Sequence, residues 1–282
     1  MQISMWSSLF IEDEPEAMLA KLVSCGYRHV ELSFEHAQML LKRPGPVAQT
    51  AAAFVARAAE LGMTISQAHL SFSYDPLAVD GVRRAADLDS LKREIELYIL
   101  LGVKAAVLHV GGAGAVKAGW SAEQVDEVRT ASLQALCAVA AGSDLRLALE
   151  NLRTDLGDAQ SLLRVIERSG CQRQIGICLD TGHLHLTGGA PAAFVREAGE
   201  SLIALHLADN LGKNDDHLFP FAGTITWSPF LDALRASPYT GLFNFEVPGE
   251  RIFEAPFPGR NAILLHKARF GYRLAQLMFG AV

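Results

Sequence analysis

Short apolar runs alternate along this chain with longer stretches in which apolar residues recur at helical spacing. The runs Gln2–Trp6 and His29–Ser33 predict two strands, and the stretch Glu14–Ser24 between them predicts an amphipathic helix. The later apolar runs predict six further strands: Ile65–His69, Lys104–His109, Arg146–Glu150, Ile175–Asp180, Leu202–Leu207 and Leu242–Glu246.

A helical pattern follows each of these strands, and several of the patterns carry ordinary boundary signals. One begins with Pro46 in its first turn, and two end at Gly62 and Gly102. The predicted helices after the second strand are Pro46–Leu61, Ala86–Leu101, Ala122–Ala141, Ala159–Ser169, Ala190–Ala198, Ser228–Ala236 and Asn261–Met278. Alternating strands and helices of this length imply parallel pairing, and eight such units predict an α/β fold of the closed (β/α)8 TIM-barrel type. No linker divides the chain, so we expect a single domain over residues 1–282.

Four of the predicted strands end in residues that disfavour strands or that are costly to bury alone: Glu150, Asp180, His206 and Glu246. The carboxyl ends of barrel strands meet at one mouth, where active sites of this fold lie. Three carboxylates gathered there would repel one another without a cation. With a divalent ion they form an oxygen and nitrogen ligand set, so the pattern predicts a metal-dependent enzyme.

Five further polar residues lie at the same predicted mouth. His69 and His109 end the third and fourth strands, His183 follows the sixth, and Asp215 and His217 lie on the loop after the seventh. Each is weak evidence alone, because isolated histidines near strand ends are commonly structural. Together with the four stronger candidates, they are predicted to be additional metal or substrate ligands.

Composition narrows the classes of partner. The net charge of −6 does not favour binding to a polyphosphate backbone, so nucleic acid is not the expected partner. The four cysteines show no CxxC spacing and lie in apolar contexts. We therefore expect them to be reduced core residues of a protein in a reducing compartment. We detect neither a signal-peptide pattern nor a run long enough to span a membrane, and therefore expect a soluble cytoplasmic protein without a membrane partner. The apolar faces of the last helix allow a homo-oligomer.

The segments LALENL, CLDTGHLHL, ALHLADNLGKNDDHLFPFAGTITW and FNFEVPG resemble the xylose-isomerase-like TIM-barrel superfamily, which contains sugar isomerases and epimerases and enzymes of the endonuclease IV type. Similarity to its ketose 3-epimerase branch implies that Glu150, Asp180, His206 and Glu246 hold one divalent ion, commonly Mn, Mg, Co or Zn. It also implies that Glu150 and Glu246 form the acid/base pair. The implied activity is isomerisation or epimerisation of a sugar or sugar phosphate by proton transfer beside a carbonyl.

The remaining polar and aromatic residues of the mouth suit a small carbohydrate-like substrate. Arg153 and His183 could bind hydroxyls or a phosphate, and Lys213 could bind a phosphate. Glu31, at the end of the second strand, could orient a hydroxyl or support a metal ligand. Trp6 could stack on the C–H face of a sugar, as could Phe34, Phe72 and Trp227.

A zinc-dependent phosphodiester hydrolase is the rival interpretation. The endonuclease IV branch uses three zinc ions, and matches to its ligands are present: His69, His109, Glu150, Asp180, His183, His206, Asp215, His217 and Glu246. The acidic charge and the absence of basic loops weigh against it. The loop FPFAGTITW resembles the isomerase side, although Phe221 and Ala222 depart from its usual Gly-Glu or Gly-Lys. Other metal-dependent chemistry, such as dehydration, and a non-catalytic metal-binding module are further alternatives.

Overall fold

A computed structural model describes residues 1–249 and 259–280 of the chain. The predicted strands are all present, with bounds within one residue of the prediction. Numbered β1 to β8 along the chain, they are Gln2–Trp6, His29–Leu32, Thr64–His69, Ala105–Leu108, Arg146–Glu150, Ile175–Asp180, Leu202–His206 and Leu242–Phe245.

The strands form one parallel sheet in the order β7-β6-β5-β4-β3-β2-β1-β8. Between β7 and β8 the sheet is completed by a parallel bridge of Leu207 with Phe245. There the Leu207 N–H donates to the Asn244 carbonyl at 2.9 Å, and the Glu246 N–H donates to the Leu207 carbonyl at 3.2 Å. The predicted (β/α)8 TIM barrel is therefore confirmed.

Helices surround this sheet. Numbered α1 to α11, they are Pro15–Ser24, Phe34–Leu41, Val47–Glu60, Gly81–Leu101, Ala113–Lys117, Ala122–Ala140, Ala159–Ser169, Thr181–Leu186, Pro191–Ala198, Trp227–Ala236 and Arg260–Met278. Helix α4 begins earlier than predicted because the Asp80 side chain caps it, accepting from the Val82 and Arg83 N–H groups at 2.8 and 2.9 Å. The short helices α2, α5 and α8 were not predicted. None of the described helices combines the length and apolarity needed to cross a lipid bilayer.

The barrel interior has two kinds of lining. Apolar side chains of β4 to β7 pack against one another: Ala105, Val107, Ala148, Cys178 and Ala204. Buried polar side chains lie on the other four strands: Ser4, Glu31, Gln67 and Asn244. Because strand side chains alternate between faces, residues two positions beyond these interior residues also point inward, at the mouth.

The expected single domain over 1–282 includes residues 250–258, 281 and 282, which lie outside the described residues.

Candidate active site and metal centre

The mouth of the barrel gathers the four strongest sequence candidates. Glu150, Asp180 and His206 are the last residues of β5, β6 and β7, and Glu246 directly follows β8. Each offers a ligand atom, and these atoms all lie within 4.8 Å of one another. All four residues are buried, so the barrel period places three carboxylates and an imidazole in one small, enclosed volume.

Three atoms of this cluster are buried without a hydrogen bond: Asp180 Oδ2, His206 Nδ1 and Glu246 Oε2. Two of them have charged neighbours all the same, since His206 Nδ1 lies 3.1 Å from Glu150 Oε2 and 3.4 Å from Glu246 Oε2. Buried polar atoms in proteins are nearly always hydrogen-bonded, so each exception needs a reason. The other oxygen of Asp180 is partnered, since it accepts from the His183 N–H at 2.6 Å. A divalent cation would satisfy the three atoms together, and hard oxygen ligands with one imidazole suit Mn, Mg, Co or Zn.

His206 is oriented from behind by Glu31. Its Nε2 lies 2.8 Å from Glu31 Oε1, and the other oxygen of Glu31 accepts from the Asn244 amide. All three side chains are fully buried. A carboxylate on the far nitrogen fixes the ring of a metal-binding histidine and leaves the near nitrogen free to coordinate. Glu31 therefore lies where it supports His206, and both of its carboxylate oxygens are engaged, by His206 and Asn244.

His69 and His109 approach the same carboxylate from β3 and β4. The Nε2 atoms of His109 and His69 lie 3.1 and 3.4 Å from Glu150 Oε2. His69 Nδ1 lies 2.6 Å from the Leu70 carbonyl, which makes Nδ1 the protonated nitrogen and Nε2 the one facing Glu150. His69, Glu150 and His206 form a second group whose ligand atoms lie within 4.8 Å.

Asp215 connects the remaining predicted residues. Its Oδ2 lies 3.0 Å from His183 Nε2 and 3.5 Å from His217 Nε2. His183 Nδ1 lies 3.0 Å from Glu150 Oε1, and His217 Nδ1 lies 3.0 Å from the Glu246 carbonyl. The histidines and carboxylates proposed from sequence are thus joined through Glu150 and Asp215.

The electrostatics of the site are those of crowded carboxylates neutralised by imidazoles. Burial raises the pKa of Glu150, but the charges of His109 and His206 outweigh it and hold that pKa well below 4.5. Burial raises the pKa of Glu246 more than His206 and His217 lower it. Burial lowers the pKa of His183 and His217, but neighbouring carboxylates raise them to about 12 and about 10. Metal ligands must be deprotonated, so a cation bound by Glu246 would displace the proton that its raised pKa favours.

The residues predicted to contact substrate differ in exposure. Trp6 is nearly buried at the end of β1, with its ring centroid 6.4 Å from that of His69. Arg153 and Lys213 are exposed on the loops after β5 and β7. Phe72 is 52% exposed, lies with its ring 5.9 Å from and nearly parallel to His109, and meets Phe34 edge to face at 4.6 Å. Trp227 is fully buried, so it offers no face to a ligand.

Several supporting residues were missed by sequence reasoning. Asn151 clamps the end of β6, accepting from the Asp180 N–H at 2.7 Å and donating to the Asp180 carbonyl at 3.0 Å. From α4, the Tyr98 hydroxyl donates to the His69 carbonyl at 2.7 Å, and Glu94 accepts from the Ser71 N–H at 2.8 Å. Asn151 directly follows Glu150, so its position at the mouth could have been predicted from the sequence. The roles of Tyr98 and Glu94 could not, because they depend on how α4 packs against β3.

The sequence matches the family described as xylose isomerase-like TIM barrel over residues 19–272. Among curated proteins, it is 30% identical over 173 residues to the uncharacterised protein y4fM of Sinorhizobium fredii, covering 60% of this chain and 55% of that protein. It is also 30% identical over 129 residues to a probable endonuclease 4 of Mycoplasma pneumoniae, covering 43% of this chain and 41% of the relative. The chain thus spans about half the length of these relatives.

Solved structures give full-length matches. D-psicose 3-epimerase, crystallised in the presence of D-fructose, superposes with a TM-score of 0.79 at 15% identity, covering 99% of this chain and 100% of that one. L-ribulose 3-epimerase superposes with a TM-score of 0.78 at 18% identity, covering 100% and 95%. At these identities the similarity establishes the shared fold.

Proposed function

Because the chain belongs to the xylose isomerase-like TIM barrel family, we propose that it is a metal-dependent sugar isomerase or epimerase. The observation that carries the proposal is the buried group of Glu150, Asp180, His206 and Glu246, whose ligand atoms lie within 4.8 Å of one another and of which Asp180 Oδ2, His206 Nδ1 and Glu246 Oε2 make no hydrogen bond. Structural likeness to sugar 3-epimerases agrees with it.

The proposed metal ligands are Glu150, Asp180, His206 and Glu246, with Glu31 holding His206 in place. Such an ion supplies positive charge beside the carbonyl of the substrate, which favours loss of a proton from the adjacent carbon. Glu150 and Glu246 are the proposed acid/base pair, since they come from strands on different sides of the mouth. One glutamate takes the proton from one face of the carbon, and the other returns a proton to the opposite face, so the configuration inverts without net oxidation.

The substrate is proposed to be a small sugar or sugar phosphate. His183, Trp6, Arg153 and Lys213 are its proposed contacts, and Phe72 offers an exposed ring to its C–H face. Four free cysteines support a reducing, cytoplasmic location. One domain over residues 1–282 and a homo-oligomer remain part of the proposal.

Proton transfer at carbon can be tested directly. The protein, loaded with Mn or Mg, is incubated in heavy water with ketopentoses, ketohexoses and their phosphates. We expect deuterium to enter at the carbon beside the carbonyl for at least one of them, and NMR measures this. Protein stripped with a chelator is the matched control. Absence of uptake with every substrate class, at full metal loading, would contradict the proposal.

A zinc-dependent phosphodiester hydrolase is the second candidate, and a specific observation favours it. The extra residues His69, His109, His183, Asp215 and His217 all contact Glu150, Glu246 or each other, as additional zinc ligands would. The relative described as a probable endonuclease 4 adds to this. Elemental analysis decides: three zinc ions per chain together with cleavage of an abasic-site duplex would replace the isomerase proposal, and one ion without cleavage would retain it.

A further inference from the structure

The loop after β7 brings Asp215 and His217 to the mouth, and it is closed by its own backbone. Asp209 and Leu218 form an isolated antiparallel bridge. The N–H of each donates to the carbonyl of the other, at 2.7 and 2.8 Å. This bridge closes the first half of the 209–227 loop, residues 209–218, which contains Asp215 and His217. The second half, residues 219–227, returns past Asp209.

The side chain of Asp209 is fully buried and collects four N–H donors. Its Oδ1 accepts from the backbone of Asn210 at 2.9 Å and of Ile225 at 3.1 Å. Its Oδ2 accepts from the backbone of Phe221 at 3.1 Å and from the Trp227 indole at 2.9 Å. No described cation pairs with this carboxylate, so these donors replace its lost hydration and tie the returning half of the loop to its base.

The fit around Asp209 is close. A Cβ on Gly223 would lie 2.3 Å from Asp209 Oδ1 and 2.3 Å from the Asn210 carbonyl oxygen, a separation that no side chain tolerates. Glycine at position 223 therefore lets the returning strand approach the carboxylate, and a larger residue would displace it.

The loop also contains the two non-glycine residues with left-handed backbone among those described, His217 with φ 46° and Phe221 with φ 71°. Such conformations persist only where the surroundings impose them. Asp209 accepts from the N–H of Phe221, and His217 is held through its ring by Asp215 and the Glu246 carbonyl. The two left-handed residues are therefore held by different groups: Phe221 by the Asp209 carboxylate, and His217 by residues of the site.

We propose that Asp209 is a positioning residue for the proposed active site: its carboxylate holds the 209–227 loop so that Asp215 reaches His183 and His217 reaches Glu246. It touches neither substrate nor ion. The inference rests on the proposed function only in that the positioned residues belong to that site.

The test uses the full-length, metal-free protein and reads the histidine rings by ¹H–¹⁵N NMR, with His183 and His217 assigned from H183Q and H217Q. In D209N, an amide N–H₂ faces donors that need an acceptor. We expect the His183 and His217 signals to move or broaden more than that of His29, which is the first residue of β2 and so lies at the opposite end of the barrel. W227F removes one of the four donors and keeps a buried ring, so it should move the same two signals by less.

A purely structural Asp209 would lower the melting temperature and leave the ring signals of the folded protein unchanged; that result overturns the proposal. If D209N does not fold, W227F decides alone: movement of the two signals supports the proposal, and unchanged signals overturn it. The readout needs no substrate, so it stands whether or not the chain epimerises sugars, and failure of the deuterium experiment is a separate outcome.

Discussion

Two arcs of the barrel mouth are built on different principles. The acidic arc consists of Glu150, Asp180 and Glu246 at the ends of β5, β6 and β8, and two of its carboxylate oxygens are buried without a hydrogen bond. The aromatic arc consists of Trp6, Phe34, His69 and Phe72, at or just after the ends of β1 to β3. Its backbone is held by two buried hydrogen bonds, from the Tyr98 hydroxyl to the His69 carbonyl and from the Ser71 N–H to Glu94.

The two arcs differ in what stabilises them: groups of the protein in the aromatic arc, and a proposed bound cation in the acidic arc. In the aromatic arc, the backbone at His69 and Ser71 is held by groups of the protein itself, so that backbone should keep its geometry without an ion, although the Trp6 indole N–H is buried without a hydrogen bond. The acidic arc gathers three carboxylates, and neighbouring histidines whose pKa values are raised offset their negative charge. Changes to the acidic arc should therefore act on metal binding and chemistry, and changes to the aromatic arc on stability and substrate affinity.

Glu246→Gln should have the largest effect. It removes a titrating oxygen from the acidic arc with almost no change in volume, and general acid–base groups contribute about 10²- to 10⁴-fold to rates. We expect the deuterium exchange rate to fall in that range, and Glu150→Gln to behave alike. Exchange rates are compared at equal metal content, measured by elemental analysis. An E246Q protein with full metal and an undiminished rate would remove Glu246 from the acid/base pair.

The residues of both arcs could be predicted from the sequence, but most of the residues that support them could not. Glu150, Asp180, His206 and Glu246 stand at strand ends, where the barrel period alone determines their direction. Glu31 could be placed at the mouth, but its contact with His206 depends on the packing of β2 against β7 across the barrel interior. Tyr98 and Glu94 lie in the middle of an amphipathic helix, where nothing local distinguishes a residue that supports His69 from any other buried position.

Glu94→Gln tests the support of the aromatic arc. Burial raises the pKa of Glu94 to about 7, only partly offset by the Ser71 N–H and Gln38. Since the unfolded carboxyl titrates near 4.5, the folded state binds the extra proton between pH 4.5 and 7, and stability falls as pH rises through that window. The pKa difference corresponds to at most about 3 kcal/mol.

E94Q should abolish this part of the pH dependence, because an amide does not titrate. Urea unfolding of metal-free wild-type and variant protein between pH 4.5 and 8 measures it, and the difference between the two curves cancels the titration of the shared histidines. The exposed Glu96 on the same helix gives the matched control, E96Q. Parallel wild-type and E94Q curves would show that Glu94 does not titrate in this range.

Glu31→Gln should lower the affinity for the metal ion without removing a proposed substrate contact. The carboxylate behind His206 sets the ring orientation and basicity, and such partners contribute about 10- to 100-fold to metal affinity. Titration of chelator-treated protein with Mn should show this loss, together with a smaller metal-induced rise in melting temperature. E35Q, a change on the neighbouring helix α2, is the control. Equal affinities for E31Q and wild type would mean that His206 needs no partner or does not bind the ion.

Phe72→Leu should have the smallest effect and tests the boundary between the arcs. Leucine keeps an apolar side chain beside His109 but removes the ring face, and aromatic contacts of this kind contribute about 0.5–1.5 kcal/mol. If the exposed face of Phe72 receives the substrate, KM should rise by about two- to thirteenfold, as that energy implies, with kcat nearly unchanged. Metal affinity should equal that of wild type, because Phe72 contacts His109 and His69 and none of the four proposed ligands. A fall in kcat comparable to that of E246Q would mean that the aromatic arc also orients the reacting groups, and the division between the two arcs would then not hold.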